Sequence, residues 1–142
     1  MIEIVVVLIV MAIMATFFIT QVPTGNDLIA QAEILKSHLR YAQIKAMNDT
    51  DVSTPGGWGI HLSNNSSYIL YRNNATANDI LPGETAQTHT LPTGIIVSTT
   101  CANATCNFDK LGSPGATTLT MTLTQGASTS TISITRNTGF VN

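Results

Sequence analysis

The chain has 142 residues, a charged fraction of only 10% and a formal net charge of -2. A chain of this length builds one modest hydrophobic core rather than two. Its low and slightly acidic charge excludes a general electrostatic attraction to nucleic acid or to acidic lipid.

The first predicted element is the apolar stretch MIEIVVVLIVMAIMATFFI, in which Glu3 is the one charged residue. As a helix, the run from Ile4 to Ile19 would span about 24 Å, slightly short of a bilayer core. A signal peptide needs a basic segment ahead of its apolar region, but the first basic residue is Lys36. A conventional transmembrane anchor fits poorly as well, because of Glu3 and the missing basic flank.

A third interpretation is a helix that starts in a membrane and ends in the interior of a filament. Glu3 would lie in its first turn, where the helix dipole favours an anion. A lone carboxylate inside an apolar assembly is costly unless it is paired, and an α-amino group of the same or a neighbouring copy could pair with it. Glu3 is therefore predicted to set the register between copies. The predicted helix-packing core is Ile4, Val5, Val6, Val7, Leu8, Ile9 and Val10.

The second predicted element is an amphipathic helix. Pro23 and Gly25 disfavour regular helix in TQVPTGND and predict a break there. Asn26 or Asp27 can cap a new helix, which should end near Met47. Its apolar stripe, at spacings of three and four residues, is Leu28, Ala32, Leu35, Leu39, Ala42 and Ala46.

From about residue 55 the apolar period changes from helical to two, which is typical of strands. GWGIHL and SYILYR flank the polar turn SNNS and predict a hairpin. GIIVST predicts a further strand. TTLTMTLT and TSTISIT predict two strands that are joined by the turn QGAS and pair with each other in the antiparallel sense. The polar stretch 73–93 is predicted to be a loop. The helix stripe can cover the apolar face of this sheet, which predicts an α+β head.

Three groups of residues carry a family resemblance. MIEIVVVLIVMAIMA resembles the mature N-terminus of type IV pilins and type II secretion pseudopilins, where Leu-Ile-Glu precedes an apolar helix. Met1-Ile2-Glu3 corresponds to that tripeptide. WGIHLSNNSSYILYRN, CNFDKLGSPG and ISITRNTGFV resemble the Trp-Gly-Ile, Phe-Asp-x-x-Gly and terminal Asn-x-Gly segments of H-type pseudopilins and FimT-like pilins.

The resemblance implies an architecture. A long N-terminal α-helix, kinked or melted near 16–26, would pack on an antiparallel β-sheet head, giving an α+β fold. Residues 1–26 would form the hydrophobic stalk and its kink. Residues 27–142 would form the head, with the amphipathic helix at 27–47 and the β-sheet at 55–142.

The resemblance also implies a structural subunit of an extracellular type IV pilus-like filament. Its partners would be identical subunits in a helical homopolymer, the inner membrane before assembly, a prepilin peptidase and an assembly machinery. The assembled filament would be extracellular or periplasmic. One alternative is a minor tip pseudopilin of a type II secretion system. An alternative from another class is a monomeric membrane-anchored binding module.

Cys101 and Cys106, in CANATC, are close enough in sequence to form a small disulfide loop, which would fit an oxidising, exported setting. The alternative is a pair of unlinked thiols. Five Asn-x-Ser/Thr sequons are candidates for glycosylation, although a chain rich in Asn, Ser and Thr contains several by chance. They begin at Asn48, Asn64, Asn65, Asn74 and Asn103.

The sequence shows no catalytic constellation. His38, His61 and His89 have no cysteine or carboxylate at a spacing typical of metal ligands, so solvated or core-edge positions are predicted for them. We therefore expect no enzymatic activity, no metal and no cofactor. Nucleic acid is not an expected partner, because the basic residues after residue 45 are widely separated. They are Arg72, Lys110 and Arg136.

Overall fold

The computed structural model describes residues 25–50 and 57–142, together with Ile4 and Val7. Over residues 25–50 and 57–142 the chain has an α+β architecture, with one α-helix packed on two antiparallel sheets. Helix α1 spans Gly25–Asn48. The strands are β1 Trp58–Asn64, β2 Ser67–Arg72, β3 Ala75–Thr76, β4 Thr88–Thr90, β5 Ile95–Thr99, β6 Thr105–Phe108, β7 Leu119–Gln125 and β8 Ser128–Ile134.

Helix α1 begins two residues earlier than its predicted capped start and ends one residue beyond Met47. Asp27 lies in its first turn and Lys45 in its last, so both charges complement the helix dipole. The predicted apolar stripe is buried along its whole length, which confirms the face assigned from the spacing. Its members are Leu28, Ala32, Leu35, Leu39, Ala42 and Ala46.

The first sheet has the strand order β3-β2-β1-β6, and β4 also pairs with β2. The second sheet has the order β5-β7-β8. Both predicted hairpins are confirmed, since β1 pairs with β2 around SNNS and β7 pairs with β8 around a two-residue turn. The strand predicted in GIIVST is β5, which pairs with β7. Helix α1 contacts strands of both sheets and closes one common core between them.

The prediction of a loop over 73–93 is wrong for part of that stretch. It contains β3 and β4, and it buries Ala77, Leu81 and Leu91. These apolar residues are isolated among polar neighbours, so they produce neither a helical nor a strand period. Their burial comes from tertiary contacts that a local pattern does not contain.

The Trp-Gly-Ile segment of β1 needs its glycine. A Cβ at Gly59 would overlap the carbonyl oxygen of Cys106 and the side chain of Asn107 on the neighbouring strand β6. In the described part of the chain, Asn107 Oδ1 is the buried side-chain oxygen without a hydrogen-bond partner. The close approach of β6 to β1 therefore excludes any larger residue at position 59.

Side chains of α1 also hold the last loops of the head. Gln43 Nε2 donates hydrogen bonds to the carbonyl oxygens of Gly112 at 2.8 Å and of Gly139 at 3.0 Å. Arg40 Nη2 donates to the Val141 carbonyl oxygen at 3.1 Å. Val141 is buried and bridges to Ile134 of β8, so the end of the chain packs between the helix and the second sheet.

Candidate functional site

The predicted assembly segment is described at two positions. Ile4 and Val7 are helical and lie three residues apart, so they share one helix face. Their exposed fractions are 66% and 56%, which leaves two large apolar side chains without cover. The other predicted residues of this segment lie outside the described residues. They are Glu3, Val5, Val6, Leu8, Ile9 and Val10.

The predicted helix break involves Pro23 and Gly25, and of these two residues the structure describes Gly25. Gly25 is helical and is the first described residue of α1. Pro23 lies outside the described residues, and the break remains a prediction. Among the helices of the described ranges, none has both the length and the apolar character that crossing a bilayer requires.

Cys101 and Cys106 are joined by a disulfide, with their Cα atoms 5.2 Å apart. Both residues are buried, and Cys106 lies opposite Ile60 in the pairing of β6 with β1. Thr99 Oγ1 accepts a hydrogen bond from the Cys101 amide at 3.1 Å and donates to the Thr120 carbonyl oxygen at 2.9 Å. The disulfide loop is thereby tied to both sheets.

Replacing both cysteines, as Cys101→Ser/Cys106→Ser, is expected to lower the free energy of unfolding by about 2 kcal/mol. The estimate follows from the small loop entropy that so short a cross-link removes from the unfolded chain. Urea unfolding of the full chain in mild detergent measures the change, and reduced wild-type protein is the matched control. Complete loss of the folded head in both samples would contradict a merely supporting role for the disulfide.

All five sequon asparagines are exposed, but their hydroxyl partners differ. Asn64 Oδ1 accepts hydrogen bonds from the Ser66 amide at 2.7 Å and from Ser66 Oγ at 2.9 Å. Ser67, which completes the sequon of Asn65, is buried. Thr105, which completes the sequon of Asn103, is engaged with His61 Nδ1 at 2.8 Å. The exposure of Asn48, Asn64, Asn65, Asn74 and Asn103 is compatible with glycosylation, which remains a prediction.

A buried polar cluster joins α1 to the first sheet, and no sequence pattern predicted it. His38 Nδ1 lies 2.9 Å from Tyr68 Oη, and His89 Nδ1 lies 2.6 Å from Glu84 Oε1. His89 Nε2 lies 3.1 Å from Gln31 Oε1. The rings of His38 and His89 are 5.5 Å apart between centroids. We name His38, Tyr68, His89, Glu84 and Gln31 the histidine cluster.

Burial is the largest influence on the pKa values of His38 and Tyr68. It lowers the pKa of His38 below the ordinary value of 6.5, because the charged imidazolium loses hydration. The same effect raises the pKa of Tyr68, since the phenolate would be desolvated. The prediction of solvated or core-edge positions for His38 and His89 is wrong, because both side chains are buried.

A second polar cluster surrounds Trp58 at the C-terminal end of α1. The indole Nε1 donates to Asp49 Oδ2 at 2.7 Å, and Arg72 forms a two-pronged contact with the same carboxylate at 2.9 and 3.1 Å. Lys45 Nζ lies 5.3 Å from the indole centroid and binds Asp79 at 2.7 Å. The Asp79 contact raises the pKa of Lys45.

A groove of about 390 Å³ opens beside this cluster and is lined in part by Trp58 and Arg72. Trp58 itself is only 7% exposed, and the Arg72 guanidinium carbon lies 5.4 Å from the indole centroid. The ring is therefore packed within the head and offers no open face on which a ligand could stack.

Within residues 25–50 and 57–142, no three side chains of His, Cys, Asp or Glu converge as a metal site would require. His61, the third histidine, stacks on Tyr71 with ring centroids 4.8 Å apart. The predicted absence of a metal, a cofactor and an enzymatic activity remains a prediction.

Comparison of the chain with protein families, with curated proteins and with solved structures found no match.

Proposed function

We propose that the chain is a structural subunit of an extracellular type IV pilus-like filament and that it polymerises through its apolar N-terminal helix. The observation that carries the proposal is the contrast between two apolar surfaces. The stripe of α1 is buried inside the head, while Ile4 and Val7 in the apolar N-terminal segment are exposed. The hydrophobic core of the head therefore forms without contributions from Ile4 and Val7.

The energetic argument favours assembly. Burying one Val, Leu or Ile side chain contributes about 1.5–3 kcal/mol, so the apolar stretch that ends at Ile19 strongly favours an apolar environment. Lipid supplies that environment to a single copy before assembly. Side-by-side packing of many copies supplies it in a filament, where an α-amino group of a neighbouring copy can pair with Glu3.

The stalk is proposed to be one long helix that continues into α1. With about 1.5 Å per residue, a helix from the N-terminus to Asn48 would be roughly 70 Å long. Residues 16–26 are proposed to kink or lose helicity on assembly, because Pro23 lacks an amide hydrogen and glycine weakens a helix interior. Hydrogen exchange of assembled and detergent-solubilised subunits compares the two states, and equal protection of these amides in both would exclude local melting.

Partners and location follow from the same proposal. The subunit would be held in the inner membrane before assembly and released into an extracellular or periplasmic filament, processed by a prepilin peptidase and an assembly machinery. The Cys101–Cys106 disulfide supports export, since disulfides persist in oxidising compartments. A role as a minor tip pseudopilin of type II secretion is the second candidate, because the head segments resemble the H-type.

Negative-stain electron microscopy of material sheared from producing cells tests the proposal. Abundant fibres whose main component has the mass of this subunit would support it. A label specific for this subunit that appears only at fibre ends would favour the tip pseudopilin instead. Solitary molecules and no fibres would leave the monomeric membrane-anchored binding module as the better account.

A further inference from the structure

The loop between β3 and β4 is held on α1 by the histidine cluster. We name residues 79–87 the latch loop. Its Leu81 is 1% exposed, and its Pro82 carbonyl oxygen accepts a hydrogen bond from His38 Nε2 at 3.0 Å. Asp79 is bound by Lys45 at one end, and Glu84 is bound by His89.

The neutral form of His38 satisfies every polar hydrogen at this site. A carbonyl oxygen can only accept, so Nε2 carries the hydrogen that faces Pro82. Nδ1 then has a lone pair and accepts the hydroxyl hydrogen of Tyr68. Tyr68 is fully buried, and His38 Nδ1 is the hydrogen-bond partner that the described side chains provide for its hydroxyl. A proton added at Nδ1 would turn this nitrogen into a donor to Tyr68 Oη, and the buried hydroxyl hydrogen of Tyr68 would lose its acceptor.

His89, in contrast, is accommodated in both protonation states. Its Nδ1 faces the Glu84 carboxylate, which accepts a hydrogen bond from the neutral or the charged ring. Its Nε2 faces the Gln31 side-chain amide, which can present its oxygen or, after rotation, its nitrogen. A charge on His89 is paired by Glu84, whereas a charge on His38 would lie beside His89 with no carboxylate in direct contact.

We propose that the latch loop is an acid-released element and that protonation of His38 releases it from α1. The groups that face His38 are Tyr68 on β2, His89 on β4, and Glu84 and the Pro82 carbonyl in the latch loop itself. Protonation would leave the Tyr68 hydroxyl hydrogen without its acceptor and place a positive charge in a buried site with no carboxylate in direct contact. Opening of the loop relieves both effects and exposes Leu81.

The direction of the pH dependence follows from burial. The pKa of His38 is lower in the folded protein than its ordinary value of 6.5, so His38 binds the proton more tightly when the loop is open or the chain is unfolded. The attachment of the loop is therefore fully present above about pH 6.5 and weakens as the pH falls toward the folded-state pKa. The inference concerns the head alone and does not depend on the proposed filament.

Hydrogen exchange of the full chain in mild detergent, corrected for the intrinsic pH dependence of exchange, tests the release. Between pH 7.5 and 5, the protection of latch-loop amides is expected to fall by up to about tenfold per pH unit, the limit for one proton. Amides of β7 and β8 should keep their protection. Protection of the latch loop that does not change over this range would overturn the proposal.

Two variants test whether His38 is the group whose protonation releases the latch loop. His38→Gln should abolish the pH dependence of the latch loop, while the matched control His61→Gln, on a different strand, should retain it. If His38→Gln keeps the wild-type pH dependence, His38 is not the sensor and the proposal fails. If that variant does not fold, imidazole nitrogen NMR of the wild type decides. A neutral ring with its hydrogen on Nε2 at pH 7 supports the proposal, and a charged ring or the other tautomer overturns it.

Discussion

Glu3→Leu is expected to leave the head folded and to abolish regular fibres. In the proposed assembly, the Glu3 carboxylate pairs with an α-amino group in apolar surroundings. Removing one partner of a buried ion pair costs about 3–5 kcal/mol, because the remaining charge stays buried and unpaired. A cost of that size at every contact between copies would prevent ordered growth. Electron microscopy measures fibre yield and helical symmetry.

The matched control is Glu33→Leu in the head. Glu33 binds Lys36 at 2.9 Å, and its side chain is 61% exposed, so this exposed pair contributes little to stability. The control should form fibres with wild-type yield. Fibres of Glu3→Leu at normal yield and with unchanged symmetry would refute the pairing role of Glu3.

Leu39→Ala is expected to lower the free energy of unfolding of the head by about 2–5 kcal/mol. Leu39 is fully buried in the middle of the α1 stripe, and its truncation leaves a cavity in the hydrophobic core. A domain of this size has only about 5–15 kcal/mol of stability, so the variant loses a large share of it. Urea unfolding of the full chain in mild detergent measures the difference.

Ile29→Ala is the matched control on the same helix. Ile29 is 62% exposed, and substitutions at such positions usually change stability by less than about 0.5 kcal/mol. If the two variants lose equal stability, the assignment of the core face of α1 is wrong.

The sequence predicted those elements of the head whose apolar residues repeat locally. The stripe from Leu28 to Ala46 identified both α1 and its buried face, because spacings of three and four place side chains on one side of a helix. The alternation of Thr with Leu and Met identified β7 in the same way. The turns SNNS and QGAS then set the pairing of neighbouring strands.

Features that depend on contacts between distant segments were not predicted. His38 and His89 are separated by about fifty positions, and they meet only because β4 pairs with β2 behind α1. No spacing in the sequence encodes that pairing, since β4 has only three residues. Likewise, the contact of Arg72 with Asp49 depends on where the end of α1 meets β2.

The proposed packing of N-terminal segments between copies is most directly tested by photo-crosslinking from position 7. A photoreactive amino acid replaces Val7, which is helical and exposed, in native material that has been neither sheared nor solubilised. The account predicts covalent dimers whose crosslinked peptides both come from the first 19 residues. Crosslinks to lipid alone, with the protein remaining monomeric, would contradict it.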